Sequence, residues 1–211
     1  MRGLAAFPLI ALLAAPISAS AQTRSVYGPE VPGSSAFVRV VNALPAVPSL
    51  ALELGATEFA PLPFAGVSPY RPVTPDIYQV EAGGSAAEII PKSGTYYTVV
   101  CGPKGITVLE DPAHVDPARA QVFLYNMSSL PALDLKTADG KTAVISGVRP
   151  GASGVKVVNA VSVSLAVWNG ATRVGAVGDL GLARGSSFSV FVLTSGSALR
   201  VIAVKATVAA K

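Results

Sequence analysis

The residues that could do chemistry in this chain are few: one histidine and one cysteine in 211 residues. The histidine ends the string Asp111-Pro112-Ala113-His114. That Asp-x-x-His spacing is the one with which SGNH-type esterases and acetyl-transferring enzymes orient a general base. In such a site the carboxylate holds the imidazole, and the imidazole takes the proton of a serine nucleophile. The serine normally sits in a Gly-Asp-Ser block near the start of an α/β fold, whereas Gly178-Asp179 is here followed by Leu180. The motif is therefore read as a coincidental feature of a linker, and no catalytic residue is assigned. Cys101 closes the apolar alternation Tyr97, Val99, Cys101 and is expected to be a buried hydrophobe. A lone cysteine cannot form an internal disulfide, so its alternative role is an intermolecular one. One His, one Cys and mostly isolated acids offer no convincing metal shell, and no glycine-rich phosphate loop precedes a helix; no cofactor is expected. Asn126-Met127-Ser128 matches a glycosylation sequon but reads as the end of a strand.

Binding residues are easier to nominate than catalytic ones. Aromatic rings stack on the apolar faces of sugars, and Tyr96 and Trp168 each point away from an apolar row on their own strand. Tyr70-Arg71, flanked by Pro69 and Pro72, forms a further candidate contact cluster. The competing expectation for these rings is packing against a neighbouring module.

Charge narrows the partners. The chain opens with Arg2, an apolar run to Ile17 broken by Pro8 and Pro16, and the small-residue string Ala19-Ser20-Ala21. Those three regions predict a signal peptide over residues 1–21 with Gln22 as the new terminus, hence export to the periplasm. The run is shorter than the ~20 residues that a membrane helix needs, and no later apolar run is long enough. Without Arg2 the chain carries 15 Lys and Arg against 12 Asp and Glu, scattered singly. That pattern lacks the basic stripe a phosphate backbone requires, so nucleic acid is excluded as a partner. The mild positive balance is compatible with an anionic polysaccharide or lipid headgroup and demands neither.

The elements that must carry these residues are strands. Val161, Val163, Leu165 and Val167 alternate with Ser162, Ser164, Ala166 and Trp168; Phe188, Val190 and Val192 repeat the pattern, as do Tyr78, Val80 and Ala82. Asp139-Gly140 and Asn169-Gly170 supply tight-turn residues. The chain also repeats itself at a spacing of roughly 80–90 residues, the size of a small sandwich module. Phe37–Asn42 matches Gln121–Asn126, Leu50–Leu54 matches Leu133–Lys136, Gly66-Val67 matches Gly147-Val148, Ser93–Val100 matches Arg184–Phe191, and Ile106–Glu110 matches Leu199–Lys205. The predicted class is all-β: two tandem β-sandwich modules, Ig-like or jelly-roll-like, over residues 22–112 and 113–211, joined near Glu110–Arg119 and packed on each other. Modules of this size bury a modest share of their surface and have no disulfide here, which favours mutual packing.

Read in order, Tyr27-Gly28-Pro29, Ala36–Asn42, Tyr96–Val100, Leu135-Lys136-Thr137-Ala138-Asp139-Gly140-Lys141-Thr142 and Val163–Val167 resemble the periplasmic alginate O-acetylation family AlgF. The most specific piece is Leu135–Thr142, and one departure is Pro75-Asp76 where the family pattern suggests Pro-Gly. The resemblance implies a non-catalytic accessory protein in the O-acetylation of an exopolysaccharide, alginate by default. It implies partners too: a membrane-bound O-acyltransferase and periplasmic SGNH-type acetyltransferases. Two other readings stay open, an acetyl carrier or transferase using a serine or Cys101, and an unrelated periplasmic sugar-binding module.

Overall fold

A computed structural model describes residues 33–209, so the expected leader over residues 1–21 and Gln22 lie outside the described residues. The described chain is all-β, as its period-two patterning predicts. Its sixteen strands are β1 (Ala36–Asn42), β2 (Leu50–Leu54), β3 (Thr57–Leu62), β4 (Arg71–Val73), β5 (Tyr78–Ala82), β6 (Ser85–Ile89), β7 (Tyr96–Gly102), β8 (Gly105–Asp111), β9 (Ala120–Met127), β10 (Leu133–Thr137), β11 (Ala143–Val148), β12 (Ala152–Val158), β13 (Ser164–Asn169), β14 (Thr172–Asp179), β15 (Ser187–Ser195) and β16 (Ala198–Lys205).

The duplication read from sequence is explicit in the topology. One sheet has the order β4-β1-β7-β8 and another β12-β9-β15-β16, which is the same order eight strands later. Both contain an unusual parallel pair, β1 with β7 and β9 with β15. The companion sheet of the second half runs β11-β10-β13-β14, whereas its counterpart in the first half is split into the hairpins β2-β3 and β5-β6.

Asn42 and Asn126 are the matching pins of the two halves. Each side-chain NH2 donates to two backbone carbonyls, those of Val47 and Leu62 for Asn42 and of Leu130 and Val148 for Asn126. Each side-chain oxygen accepts from a backbone N–H two residues on, at Leu44 and Ser128. This equivalence corrects one match made on glycine identity. Leu62 answers to Val148, and Ala65 answers to Gly151, because each of the latter two donates its N–H to the backbone oxygen of its asparagine at 2.8 Å. Both occupy the left-handed region, Ala65 at φ 66° and Gly151 at φ 72°. The turn demands a conformation, and glycine is only one of the residues that meets it.

Alternation sets the layers. On β1, Val38 and Val40 join the first core with Leu52, Leu54 and Val99. On β9, Val122 and Leu124 join the second core with Leu135, Val167 and Val190. The residues in between face neither core but meet each other: Val41, Val100, Phe123, Tyr125, Phe191 and Leu193 form a third cluster where the two sandwiches press together. The strands β1, β7, β9 and β15 are thus covered on both faces, which is why they read as near-continuous apolar runs. Burying each large side chain of this kind contributes ~1.5–3 kcal/mol relative to leaving it in water. Three-layer burial therefore fixes the halves against each other, as the sequence predicts from thin individual cores.

Candidate functional site

The face between the sandwiches is not purely apolar. Arg39 is placed on β1 by the same alternation that puts Val41 into the apolar contact, and it is 1 % exposed. Its Nε donates to Thr98 Oγ1 at 2.8 Å and an Nη donates to Tyr125 Oη at 2.7 Å. The guanidinium carbon lies 4.5 Å from the centre of the Tyr70 ring and 5.2 Å from that of Phe191. Its counter-charge is Asp111, 3.7 Å away and equally buried. Asp111 Oδ2 accepts from Tyr70 Oη at 2.7 Å and from the Thr98 hydroxyl, and Oδ1 accepts from Tyr125 Oη at 2.6 Å. Burial, the largest influence, pushes the Tyr70 and Tyr125 phenols well above their ordinary range, so both stay protonated donors.

This corrects the reading of Asp111 as a linker residue. Asp111 ends β8, with residues 112–119 joining it to β9, and its carboxylate is spent on Arg39, two tyrosines and Thr98. The Asp-x-x-His spacing does not create a carboxylate–imidazole pair.

His114 has a different partner. Its Nδ1 lies 3.3 Å from Ser187 Oγ at the start of β15. Hydrogen-bond polarity fixes the roles along this chain. Gln121 Nε2 donates to the Pro112 carbonyl at 3.1 Å, which aims Gln121 Oε1 at Ser187; Ser187 Oγ donates to that oxygen at 3.1 Å. With its proton given to Gln121, Ser187 Oγ is left as an acceptor toward His114 Nδ1. A catalytic Ser–His pair needs the reverse, with imidazole accepting from the hydroxyl. Beside this chain lies a cavity of about 60 Å³ lined by Tyr70, Tyr96, Asp111, His114, Phe123 and Ser187. Cys101 is fully buried in the first core, and burial pushes its thiol up to about 11, far from a reactive thiolate.

The four nominated contact residues separate. Tyr70 is 5 % exposed and belongs to the seam between the sandwiches; Tyr96 stacks on Phe37 at 4.6 Å and meets Tyr70 edge-on at 5.1 Å. Tyr70 is further tied down by the chain end, since its N–H donates to Thr207 O and its C=O accepts from Ala209 N–H, each at 2.8 Å. Arg71 points the other way on β4, into a groove with Leu54, Thr57 and Tyr78. Trp168 lies on the outer face of the second half's companion sheet, remote from the seam. There the turn glycine Gly140, at φ 73°, lies against the indole so closely that a Cβ would come within 3.0 Å of it.

Sequence reasoning missed Arg39, Thr98, Gln121, Tyr125 and Ser187. The available signal was Arg39 inside Phe37-Val38-Arg39-Val40-Val41: a charge in an otherwise apolar strand implies a buried partner. Among the described residues no group of three or more His, Cys, Asp or Glu side chains is placed to hold a metal ion.

Comparison with known proteins shows the family. The family model described as "Alginate O-acetyl transferase AlgF" matches residues 9–189. The alginate biosynthesis protein AlgF of Pseudomonas aeruginosa is 33 % identical over 202 residues, covering 95 % of this chain and 92 % of the relative. The AlgF protein of Pseudomonas syringae pv. tomato is 34 % identical over 199 residues, covering 92 % and 87 %, and that of Azotobacter vinelandii 30 % over 183 residues, covering 86 % and 82 %. A solved structure of the C-terminal domain of AlgF from P. aeruginosa shares 39 % identity, with a TM-score of 0.39, covering 42 % of this chain and 98 % of that one. With the family's model spanning most of its length, this chain belongs to the alginate O-acetyl transferase AlgF family.

Proposed function

We propose that the chain is a non-catalytic periplasmic adaptor in the O-acetylation of alginate, required for acetyl groups to reach mannuronate residues. It works by holding a membrane-bound O-acyltransferase and SGNH-type acetyltransferases together. The observation that carries this reading is the hydrogen bond that Ser187 Oγ donates to Gln121 Oε1. Among the described residues the serine that meets the imidazole, Ser187, has its proton on Gln121 and is not activated as a nucleophile. The thiol of Cys101 is buried and held protonated near neutral pH. What the fold offers instead is a body with one outer sheet on the second half, two outer hairpins on the first and the loops that surround them. Tethering two partners raises their mutual concentration toward the millimolar range, enough for loss of the tether to stop transfer without altering either active site.

Deleting the gene tests the proposal. Polymer should still be secreted, NMR should find it without acetyl groups, and the tagged chain should recover an SGNH-type acetyltransferase from periplasmic extract. Normally acetylated polymer from the deletion strain would contradict it. The rival in which the chain itself carries acetyl groups is favoured by the family description as a transferase. It requires an acetyl adduct on Ser187 or Cys101, visible by intact mass.

A further inference from the structure

A buried donor in the first half is left without an acceptor. Arg71 sits on β4 opposite Val38 of β1, and the equivalent register in the second half sets Lys156 of β12 opposite Val122 of β9. The duplication therefore puts a cation at both positions, but the surroundings differ. Lys156 is exposed, whereas Arg71 is half-buried and its Nε is closed off from solvent. That Nε has no hydrogen-bond partner, and no carboxylate pairs with the guanidinium among the described residues. Buried donors are rarely left unpaired in folded proteins, because the lost hydration goes uncompensated. Arg71 thus points to an acceptor that the described chain does not supply.

The guanidinium lines a groove of about 310 Å³, within the ~300–1,000 Å³ of small-ligand sites. The groove lies where the companion sheet of the first half is split. Leu54 and Ala56 come from the end and turn of the β2-β3 hairpin, and Tyr78 from the start of β5. Gly55, in the same turn at φ 59°, lets the Tyr78 ring lie close; a Cβ there would come within 3.1 Å of it. Two hydroxyls beside Arg71 have fixed directions. Tyr78 Oη donates to the Thr74 carbonyl at 2.7 Å and Thr57 Oγ1 to the Pro72 carbonyl at 2.9 Å, so each is left as an acceptor.

We propose that this groove binds the free carboxylate end of a peptide chain. The α-carboxylate meets the Arg71 guanidinium at Nε and one Nη, the planar fork that matches a carboxylate. The N–H of the terminal residue donates to Tyr78 Oη or Thr57 Oγ1, and its side chain lies against Leu54, Ala56 and Pro72. A phosphate ion offers neither the N–H nor the apolar group, and acetate lacks the N–H. The inference goes beyond the adaptor reading by giving a protein partner one point of attachment on the first half.

The full chain, isotope-labelled for amide NMR, is titrated with N-acetyl-alanyl-valine bearing a free carboxylate and with the same dipeptide as its amide. Resonance shifts at Leu54, Ala56, Thr57 and Arg71 should saturate with the acid, and the amide should cause none at the same concentrations. Arg71→Gln should weaken binding about tenfold or more. Ala56→Phe, at an exposed turn position, should do the same by filling the groove while leaving the guanidinium in place. Absence of binding would overturn the proposal, as would an amide that binds as tightly as the acid or an affinity indifferent to both substitutions. Acetate or inorganic phosphate binding as tightly as the peptide acid would overturn the chain-end assignment. The adaptor reading is judged separately, by the acetyl content of polymer from a deletion strain, so either can fail alone.

Discussion

Arg39 is buried, and its charge is held by Asp111, two hydroxyl groups and three aromatic rings. A buried pair of this kind gives little net stability relative to an apolar replacement of both partners, but breaking it strands the remaining charge. Arg39→Ala should therefore lower unfolding free energy by about 3–5 kcal/mol, measured by urea denaturation. A loss below ~1 kcal/mol would show that the ion pair is not desolvated as the geometry requires. The same cluster fixes an alkaline limit. The Tyr70 and Tyr125 pKa values are raised in the fold, so their contribution is fully present below the ordinary tyrosine value of ~10. It is lost as pH climbs past that value toward the folded ones, because the unfolded chain sheds these protons first. Stability should fall above ~pH 10, and the two phenols should ionise only as the protein unfolds, seen as a phenolate absorbance step coincident with the unfolding transition. Smooth titration of all six tyrosines in the native protein would contradict this. Sequence held a signal for Arg39 but none for its partners, because the members of the cluster come from Arg39 to Phe191 and no local pattern states which face of one sheet meets which face of another.

At the scale of elements, strand alternation and turn chemistry made most of the fold legible. Cys101 lies in the apolar row that its spacing predicts, and Asn42 and Asn126 close repeats recognised from their strings. The miss at Gly66 and Gly147 shows where this legibility stops. What recurs is a left-handed backbone at Ala65 and Gly151, which residue identity conceals. Gly151→Ala should therefore cost about 1 kcal/mol, from backbone strain alone, since a Cβ at Gly151 meets nothing within 4 Å. Ala65→Gly should recover less than that, because the Ala65 methyl packs against the cluster between the sandwiches. Thermal denaturation of the two variants gives the comparison, and a stabilising Gly151→Ala would refute the equivalence. The split of the first half's companion sheet into β2-β3 and β5-β6 was not legible either. It depends on whether β2 and β5 come into hydrogen-bonding register, which similar strand sequences do not encode.

At the scale of the whole molecule, the halves share a three-layer interior, and the chain end crosses back to pair with Tyr70. Among the described residues acidic side chains outnumber basic ones in the first half and basic ones outnumber acidic ones in the second. Its imidazole and serine take part in closing the seam, with Ser187 Oγ donating to Gln121 and lying 3.3 Å from His114 Nδ1. The claim that the chain promotes acetylation without handling acetyl groups is tested most directly by removing both side chains at once. In a strain lacking the native gene and expressing His114→Ala/Ser187→Ala, with periplasmic protein level matched to the native chain, the acetyl content of secreted polymer is measured by NMR. Acetylation within about twofold of the native level is expected, whereas a fall of ~100-fold or more, the scale of losing a general base, would make this protein an enzyme.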